Sequence, residues 1–320
     1  WAYLHGSFGQ KLMWRSASQT GQPHLTLNSI GDIHVPEYSM ALQEAIEELY
    51  NRSVYLKQAS QQNYDKAADI FETALGITQI PGTAVSVKNF SDSFVKTGRL
   101  DSEYYQPKFD VLFDALEKFP NKRLGGNDGI VDIRKSIEPG SEAYKEEGIP
   151  FVRVSDISKY EITPPEIFLS HDIVEDVEAL VPKKDTILFS KDGSVGIAYK
   201  LERDEDIVTS GALLHLTVRN TSEILPDYLT LVLNSTAVQM QAERDSNGAV
   251  IQHWKPSEIE NVIVPVLDID KQKELSEMVQ KSFALRHKSK QLLEYAKQAV
   301  EMAIEQGEDA ALAWLKDKVE

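Results

Sequence analysis

Apolar and small residues recur at alternating steps of three and four along two stretches of the chain. The first set is Ile46, Leu49, Ser53, Leu56, Ser60, Asn63, Ala67, Ile70 and Ala74; the second is Leu275, Met278, Ser282, Leu285, Ser289, Leu292, Ala296, Ala299 and Ala303. A mean step of about 3.5 residues is the period of a coiled-coil seam. One position of every heptad is small, Ser53, Ser60, Ala67 and Ala74 in the first set and Ser282, Ser289, Ala296 and Ala303 in the second. Small side chains at a fixed register let two backbones approach closely. The pattern predicts two long helices packed on one another; two amphipathic helices on separate cores is the other arrangement it permits. Ile33–Val35 and Val262–Val264 read as short buried strands, and each runs into a proline, Pro36 or Pro265. Acids and a cap candidate follow, Ser39 in one case and Asp268 or Asp270 in the other. Gly76, Pro81 and Gly82 end the first helix.

Between the helices the periodicity is mixed. Tyr105–Phe119 and Pro226–Met240 read as helices. Ile149–Val154, Thr186–Ser190, Gly196–Lys200 and Leu213–Val218 carry the β-branched and aromatic enrichment of strands, and Asn247-Gly248 reads as a turn. The fold class predicted is α+β, a mixed domain joined to a long antiparallel two-helix coiled coil, with residues 77–99 as a connector.

The two patterned stretches belong to a longer duplication. Residues 4–75 are echoed without a gap by 233–304, at a constant shift of 229. The shift pairs Leu4 with Leu233, Gln10 with Gln239, Arg15 with Arg244 and His24 with His253. It goes on through Pro36/Pro265, Gln43/Gln272, Ser53/Ser282, Ser60/Ser289 and Glu72/Glu301. A repeat of this length predicts a pseudosymmetric protein suited to a two-part target. Because the chain opens at Trp1, inside the first copy, it is expected to be part of something longer.

With 42% hydrophobic and 26% charged residues the chain is that of a globular protein. No run of 18 apolar residues exists and Trp1–Gln10 has no basic flank, so neither a membrane span nor a signal peptide is expected. The absence of cysteine excludes disulfides and Cys-based metal sites, and a cytoplasmic protein is the expectation. A formal charge of −16 opposes unaided binding to phosphates, so either basic residues gather on one face or a partner supplies cations.

No catalytic constellation is present: no Gly-rich phosphate loop, no H-E-x-x-H, no Asn/Asp-Pro-Pro-aromatic tetrapeptide, and no metal-ligand spacing among the seven histidines. Three polar segments remain. Ser190-Lys191-Asp192-Gly193-Ser194 offers amides and small hydroxyls to a phosphate or base edge, or is a plain β-turn. Arg134-Lys135-Ser136 and Lys159-Tyr160 are basic or aromatic loop candidates. Arg244 to Lys255 collects Arg244, Asn247, Gln252, His253 and Trp254, types that bond to or stack on bases, or that make an ordinary surface turn.

Four ordered motifs carry a resemblance. They are Arg99-Leu-Asp101-x-x-Tyr104-Tyr105-x-Pro107-Lys108; Gly148-Ile-Pro150-Phe-Val-Arg153-Val-x-Asp156-Ile157; Asp185-x-Ile-Leu-x-Ser190-x-x-Gly193-Ser-x-Gly196; and Ile263-Val-Pro265 with Gln272 opening the second helix. Together with the duplication they resemble the specificity (S) subunit of type I restriction–modification systems, over residues 1–305. The resemblance implies two target-recognition domains that each read half of a split DNA sequence, held apart by two antiparallel conserved helices. Carried over, residues 1–38 are the remnant of a first recognition domain, 39–76 the first spacer helix, 100–267 the second recognition domain, and 268–320 the second spacer helix and tail. The missing front of the first domain departs from the pattern.

It further implies a non-catalytic subunit without a cofactor of its own, one that directs an adenine N6 methyltransferase and a restriction nuclease. S-adenosylmethionine, Mg²⁺ and ATP belong to the partner subunits, and the partners are double-stranded DNA, methylation (M) subunits and restriction (R) subunits. A helix of about 36 residues at about 1.5 Å each is roughly 54 Å long, or about 16 base pairs. The DNA-facing candidates are then Arg134, Lys135, Ser190, Lys191, Asp192, Ser194, Arg244, Asn247, Gln252 and His253. Arg134 and Lys135 are expected on phosphates; Lys191, Arg244, Asn247 and Gln252 are expected to reach the bases. The tail Ala313-Trp314-Leu315-Lys316 is expected to dock on a partner. A protein-interaction scaffold, favoured by the acidic charge, is the rival reading, and an enzyme with an unrecognised site the third.

Overall fold

A computed structural model describes residues 1–17, 23–77, 85–173, 177–246 and 252–319. The chain forms two compact units, Trp1–Asn63 with Lys281–Glu320, and Tyr64–Gln280. The long helices Met40–Leu75 and Ile269–Gln306 each contribute one end to each unit.

In the first unit the long helices run antiparallel at close range. Ser53 Oγ lies 3.0 Å from Ser289 Oγ, and Ser60 Oγ 3.0 Å from Ser282 Oγ. Ser289 donates to the Ser53 carbonyl at 2.9 Å and Ser282 to the Ser60 carbonyl at 2.7 Å. A hydroxyl carries one proton. With the second-helix serines committed to carbonyls, Ser53 and Ser60 must donate across the seam to their partners. Side chain to opposing backbone contact of this kind is reachable only because serine is short. The small heptad stripe therefore forms as expected from Ser53 to Ser60 and from Ser282 to Ala303.

Past Ser60 the expected register slips. The buried positions of the first helix are Ser60, Tyr64, Ala67, Phe71 and Leu75, while Ala74 is exposed and Asn63 and Ile70 are half-buried. An α-helix of 3.6 residues per turn drifts against a 3.5 repeat. Here the seam absorbs the drift with a step of four, placing Tyr64 and Phe71 inward in the second unit.

The duplication holds for the helices that flank and form the seam. Helix Ser7–Ser16 maps onto Thr236–Asp245 with both ends in register, and the long helices begin at the equivalent residues Met40 and Ile269. Their equivalent predecessors cap them: Ser39 Oγ accepts from Leu42 N, and Asp268 accepts from Lys271 N at 2.9 Å. Gln10 donates to the Leu4 carbonyl, as Gln239 does to that of Leu233. Glu301 accepts from the Ser7 amide and Glu72 from the Thr236 amide, so each long helix caps a short helix of the other copy. Helix Glu308–Val319 folds back on the first unit. Ala311 and Leu315 are buried, Trp314 stands edge-on to Tyr295 at 5.5 Å, and Glu308 binds Ser39. The apolar side of the tail is thus occupied within its own unit, against the expectation of partner docking.

The second unit is the α+β domain. One antiparallel sheet has the order Ala198–Lys200, Ile187–Ser190, Leu213–Val218, Val131–Lys135. The other orders Val208–Thr209, Ile149–Val152, Phe168–Leu169 and Tyr144–Lys145, with its first pair parallel. All four predicted strands form, Leu213–Val218 over its full span and the other three slightly shorter. The predicted helix Pro226–Met240 is broken into Pro226–Leu233 and Thr236–Asp245. Asn234 bonds through its amide to both backbone groups of Ala198 (3.1 and 2.8 Å), and Ser235 caps back onto Val232. Pinning the chain to a strand stops the helix there. Ile33–Val35 is not a strand, whereas Ile263–Pro265, which overlaps its copy Val262–Val264, pairs with Asn121–Arg123. A strand needs a partner, and among the described residues none is paired with Ile33–Val35. The turn expected at Asn247-Gly248 lies outside the described residues.

Lys200 and His215 are buried ionisable groups of this domain. Lys200, almost wholly buried, sits among Asp185 (3.2 Å), Glu202 (2.9 Å) and Asp227 (3.3 Å). Burial would lower its pKa, but these carboxylates together hold it above the ordinary lysine value. His215 bonds Thr209 at 2.8 Å; burial, with a smaller effect of Arg134, pushes its pKa down to about 4.

Two outcomes are expected. Ser60→Leu should cost about 1–3 kcal/mol by overpacking, whereas removing both hydroxyls of one pair, in Ser60→Ala/Ser282→Ala, should be close to neutral because no buried donor is stranded. Chemical denaturation checks both. For His215 the folded pKa lies below the unfolded value, so its stabilisation is complete above about pH 6.5 and is lost as pH falls towards 4, about 2 kcal/mol of it by pH 5. His215→Gln should lose less stability than the parent between pH 7 and pH 5, measured by the same method.

Candidate nucleic-acid interface

Strands Val131–Lys135 and Ile187–Ser190 both run antiparallel to Leu213–Val218, with Lys135 opposite Leu214 and Ser190 opposite Leu213. Their C-terminal ends therefore emerge at the same end of the sheet. The loop leaving Ser190 is fixed by that residue. Its buried hydroxyl donates to the Ser194 carbonyl at 2.5 Å and accepts from Ile197 N at 2.8 Å, while its carbonyl accepts from Gly196 N at 2.8 Å. Gly196 has φ +82°, and a Cβ there would meet the Gln239 amide at 2.7 Å. Lys191 N bonds to Ala212 O, and the Lys191 carbonyl accepts from Trp254 N at 2.8 Å.

That last bond brings the two polar segments together. Asp192–Gly193 pairs antiparallel with Gln252–His253, Asp192 opposite His253 and Gly193 opposite Gln252. Asp192 links Lys191 through one carboxylate oxygen and His253 Nδ1, at 2.8 Å, through the other. An ionised carboxylate only accepts, so the proton sits on Nδ1 and the outer nitrogen of His253 is presented to solvent. Gly193, Ser194, Gln252 and His253 are exposed, while Lys191 is covered. Trp254, fully buried against Phe189, anchors the ribbon from beneath and is not placed to stack on a base.

Ser190, Lys191, Asp192, Ser194, Gln252 and His253 are thus gathered on one small ribbon at the sheet end. Ser190 belongs to its framework, since the hydroxyl is consumed internally. Arg134 and Lys135, expected in a loop, lie in the edge strand. Arg134 donates to the Ala179 carbonyl at 2.8 Å on the face of His215, and Lys135 pairs with Glu138 at 3.0 Å. Arg244, also expected in a loop, is in helix Thr236–Asp245. Its guanidinium forms a fork with Asp245 (2.8 and 3.2 Å) and lies over Phe113 (4.2 Å) and Tyr104 (5.0 Å); Arg99 covers Tyr104 at 4.6 Å. These contacts make it part of the clamp between Arg99–Tyr105 and the helix. Tyr160 packs on Tyr64, and Lys159 lies over both rings. Asn247 lies outside the described residues.

Sequence reasoning missed the Arg99–Tyr104–Arg244 stack and the Lys200 cluster. The spacing of Arg99, Asp101 and Tyr104 hinted at the first, whereas the second joins residues far apart in the chain. Among the described residues no group of three His, Asp or Glu side chains is placed to hold a metal ion, and no helix is long and apolar enough to cross a membrane.

An α+β domain with a loop ribbon at one sheet end, joined to duplicated long helices, defines the class. The family model of the type I restriction modification DNA specificity domain matches residues 126–295, over half of the chain, and the chain belongs to that family. No curated protein matches it. The fold is similar to the HsdS subunit from Thermoanaerobacter tengcongensis, at 16% identity and TM-score 0.39, covering 93% of this chain and 68% of that one. It is also similar to a type I restriction-modification S subunit from M. genitalium, at 16% identity and TM-score 0.46, covering 94% and 68%. A chain from a structure of type I R-M complex assembly aligns at 17% identity and TM-score 0.40, covering 96% and 67%.

The packing separates scaffold from surface. Arg244→Ala should lower stability by about 1–2 kcal/mol through lost stacking and pairing, whereas His253→Ala, on the exposed ribbon, should change it by less than about 0.5 kcal/mol. Thermal melts of the two variants decide this.

Proposed function

We propose that the chain reads DNA sequence for a type I restriction–modification enzyme, directing an adenine N6 methyltransferase and a restriction nuclease to a bipartite site. Family membership supports the class, and one observation carries the reading: the Asp192–Gly193/Gln252–His253 ribbon. It joins segments about 60 positions apart in sequence (|i−j| = 61 for His253 and Asp192) into an exposed pair of hydrogen-bonding side chains on a rigid base. Base edges are read by such side chains, and a ribbon is narrow enough for the major groove. In this reading the long helices are the spacer between two readers, and residues 1–38 are the tail of the first.

Phosphate attraction is weak here by itself. Lys135 is matched by Glu138, Lys191 and His253 by Asp192, and Lys255 by Glu258. Together with the net charge of −16, this supports methylation subunits as the source of the cations that hold the duplex. S-adenosylmethionine, Mg²⁺ and ATP would be bound by the partner subunits. The same charge favours the rival scaffold reading, in which no duplex is preferred.

Binding of the chain reconstituted with methylation subunits, to cognate and single-mismatch duplexes at several salt concentrations, tests this. Gln252→Ala and His253→Ala should each lose about 1–3 kcal/mol on the cognate duplex and relax preference at one base pair. Lys135→Ala should weaken all duplexes alike and reduce the salt slope by about one. If the reconstituted parent binds shuffled duplexes as well as any other, the reading fails and the scaffold stands.

A further inference from the structure

The ribbon carries a chain of hydrogen bonds whose direction is fixed. Asp192 and His253 stand opposite one another in the antiparallel pair, so their side chains share a face. One Asp192 oxygen accepts from Lys191 Nζ, and the other binds His253 Nδ1 at 2.8 Å. Lysine has donors only, and an ionised carboxylate has acceptors only. Nδ1 must therefore carry a proton, and in the neutral ring this leaves Nε2 as a bare acceptor.

That acceptor faces outward. The His253 side chain is 63% exposed, and among the described residues Asp192 is the ring's only hydrogen-bond partner. A histidine with no such neighbour can present either a donor or an acceptor, and so discriminates poorly between partners. Here the carboxylate removes the choice. The same carboxylate takes up Lys191, which is largely covered. Lys191, expected from the sequence to reach the bases, is thus withdrawn, and the polar atom that the Lys191–Asp192–His253 chain presents to solvent is an acceptor.

We propose, on the reading of this chain as a DNA-sequence reader, that His253 recognises an exocyclic amino group in the major groove, adenine N6 or cytosine N4. Asp192 is the positioning residue that fixes this choice. In the major groove adenine and cytosine present amino donors, whereas the O6 of guanine and the O4 of thymine are acceptors, as is the N7 of either purine. A bare Nε2 set against an acceptor leaves two lone pairs desolvated with no proton between them, which is unfavourable. An amino group at the same place satisfies both atoms. The preference is opposite in sign to that of a lysine or arginine, whose donors select guanine. Pairing Lys191 with Asp192 therefore turns a guanine-reading composition into an amino-reading site.

The test uses the full chain reconstituted with methylation subunits at pH 8. Selection from a random duplex library gives the preferred site, and the base pair whose preference His253→Ala relaxes is the one His253 touches. At that pair the amino group is removed, with purine in place of adenine or 2-pyrimidinone in place of cytosine. In a separate duplex the N7 of the same pair is removed with a 7-deazapurine. His253→Ala on the same duplexes controls for the altered base pairing. Relative to that control, loss of the amino group should weaken binding by the parent about tenfold, and loss of N7 by less than about twofold. Asp192→Asn, whose amide can donate to Nδ1 as well as accept from it, should shrink the tenfold penalty. A parent indifferent to the amino group or more sensitive to N7, a His253→Ala chain that relaxes no pair, or an Asp192→Asn chain as discriminating as the parent would each overturn the proposal and leave sequence reading intact. A parent that selects no sequence at all would overturn the proposed function, and this proposal with it.

Discussion

The contact on which the rest depends is the pair of serine bridges between the long helices. A leucine seam would hold two helices together at an ordinary distance but would tolerate sliding by a heptad. A relay in which each first-helix serine donates to its partner serine, and that partner to the opposing carbonyl, does not tolerate it, since every slip strands buried donors and acceptors. The register set by Ser53/Ser289 and Ser60/Ser282 therefore fixes which residues of each helix can serve the elements at its ends.

That alignment makes the reciprocal capping possible. Glu72 reaches the amide of Thr236, and Glu301 that of Ser7, because each long helix delivers its C-terminal end to the short helix of the other copy. A carboxylate at a helix N-terminus satisfies an orphan amide and meets the favourable end of the dipole. Each compact unit is accordingly built from both copies of the repeat, so neither copy is a domain in its own right.

In the α+β domain the division of labour is between hydrogen-bonded framework and exposed rim. The residues that carry the family resemblance are mostly framework. Gly148 has φ +133° where a Cβ would strike the Leu169 carbonyl at 2.3 Å, and Arg153 and Asp156 close on one another. Asp185 takes the left-handed conformation, φ 64°, while its carboxylate reaches Lys200. Ser190 ties the ribbon to the sheet. Such a framework holds the exposed residues Gly193, Ser194, Gln252 and His253 in place without engaging their side chains in the core.

By itself the sequence determined the elements whose physics is local. The heptads and cap residues gave both long helices, with Ser39 and Asp268 at their starts, and Leu213–Val218 formed over the span predicted for it. The duplication gave the correspondence of the two copies. Tertiary structure decided the rest. Asn234 broke a predicted helix by bonding to a strand distant in sequence, Ile33–Val35 pairs with no strand among the described residues, and the seam turns towards Tyr64 and Phe71 in the second unit. Residue type singled out the segments that pair as a ribbon, but type alone did not show that Arg244 stacks on Phe113 and Trp254 packs on Phe189. Which polar side chain faces solvent depends on pairing between segments that no local pattern connects, and here that pairing is the one between Asp192–Gly193 and Gln252–His253.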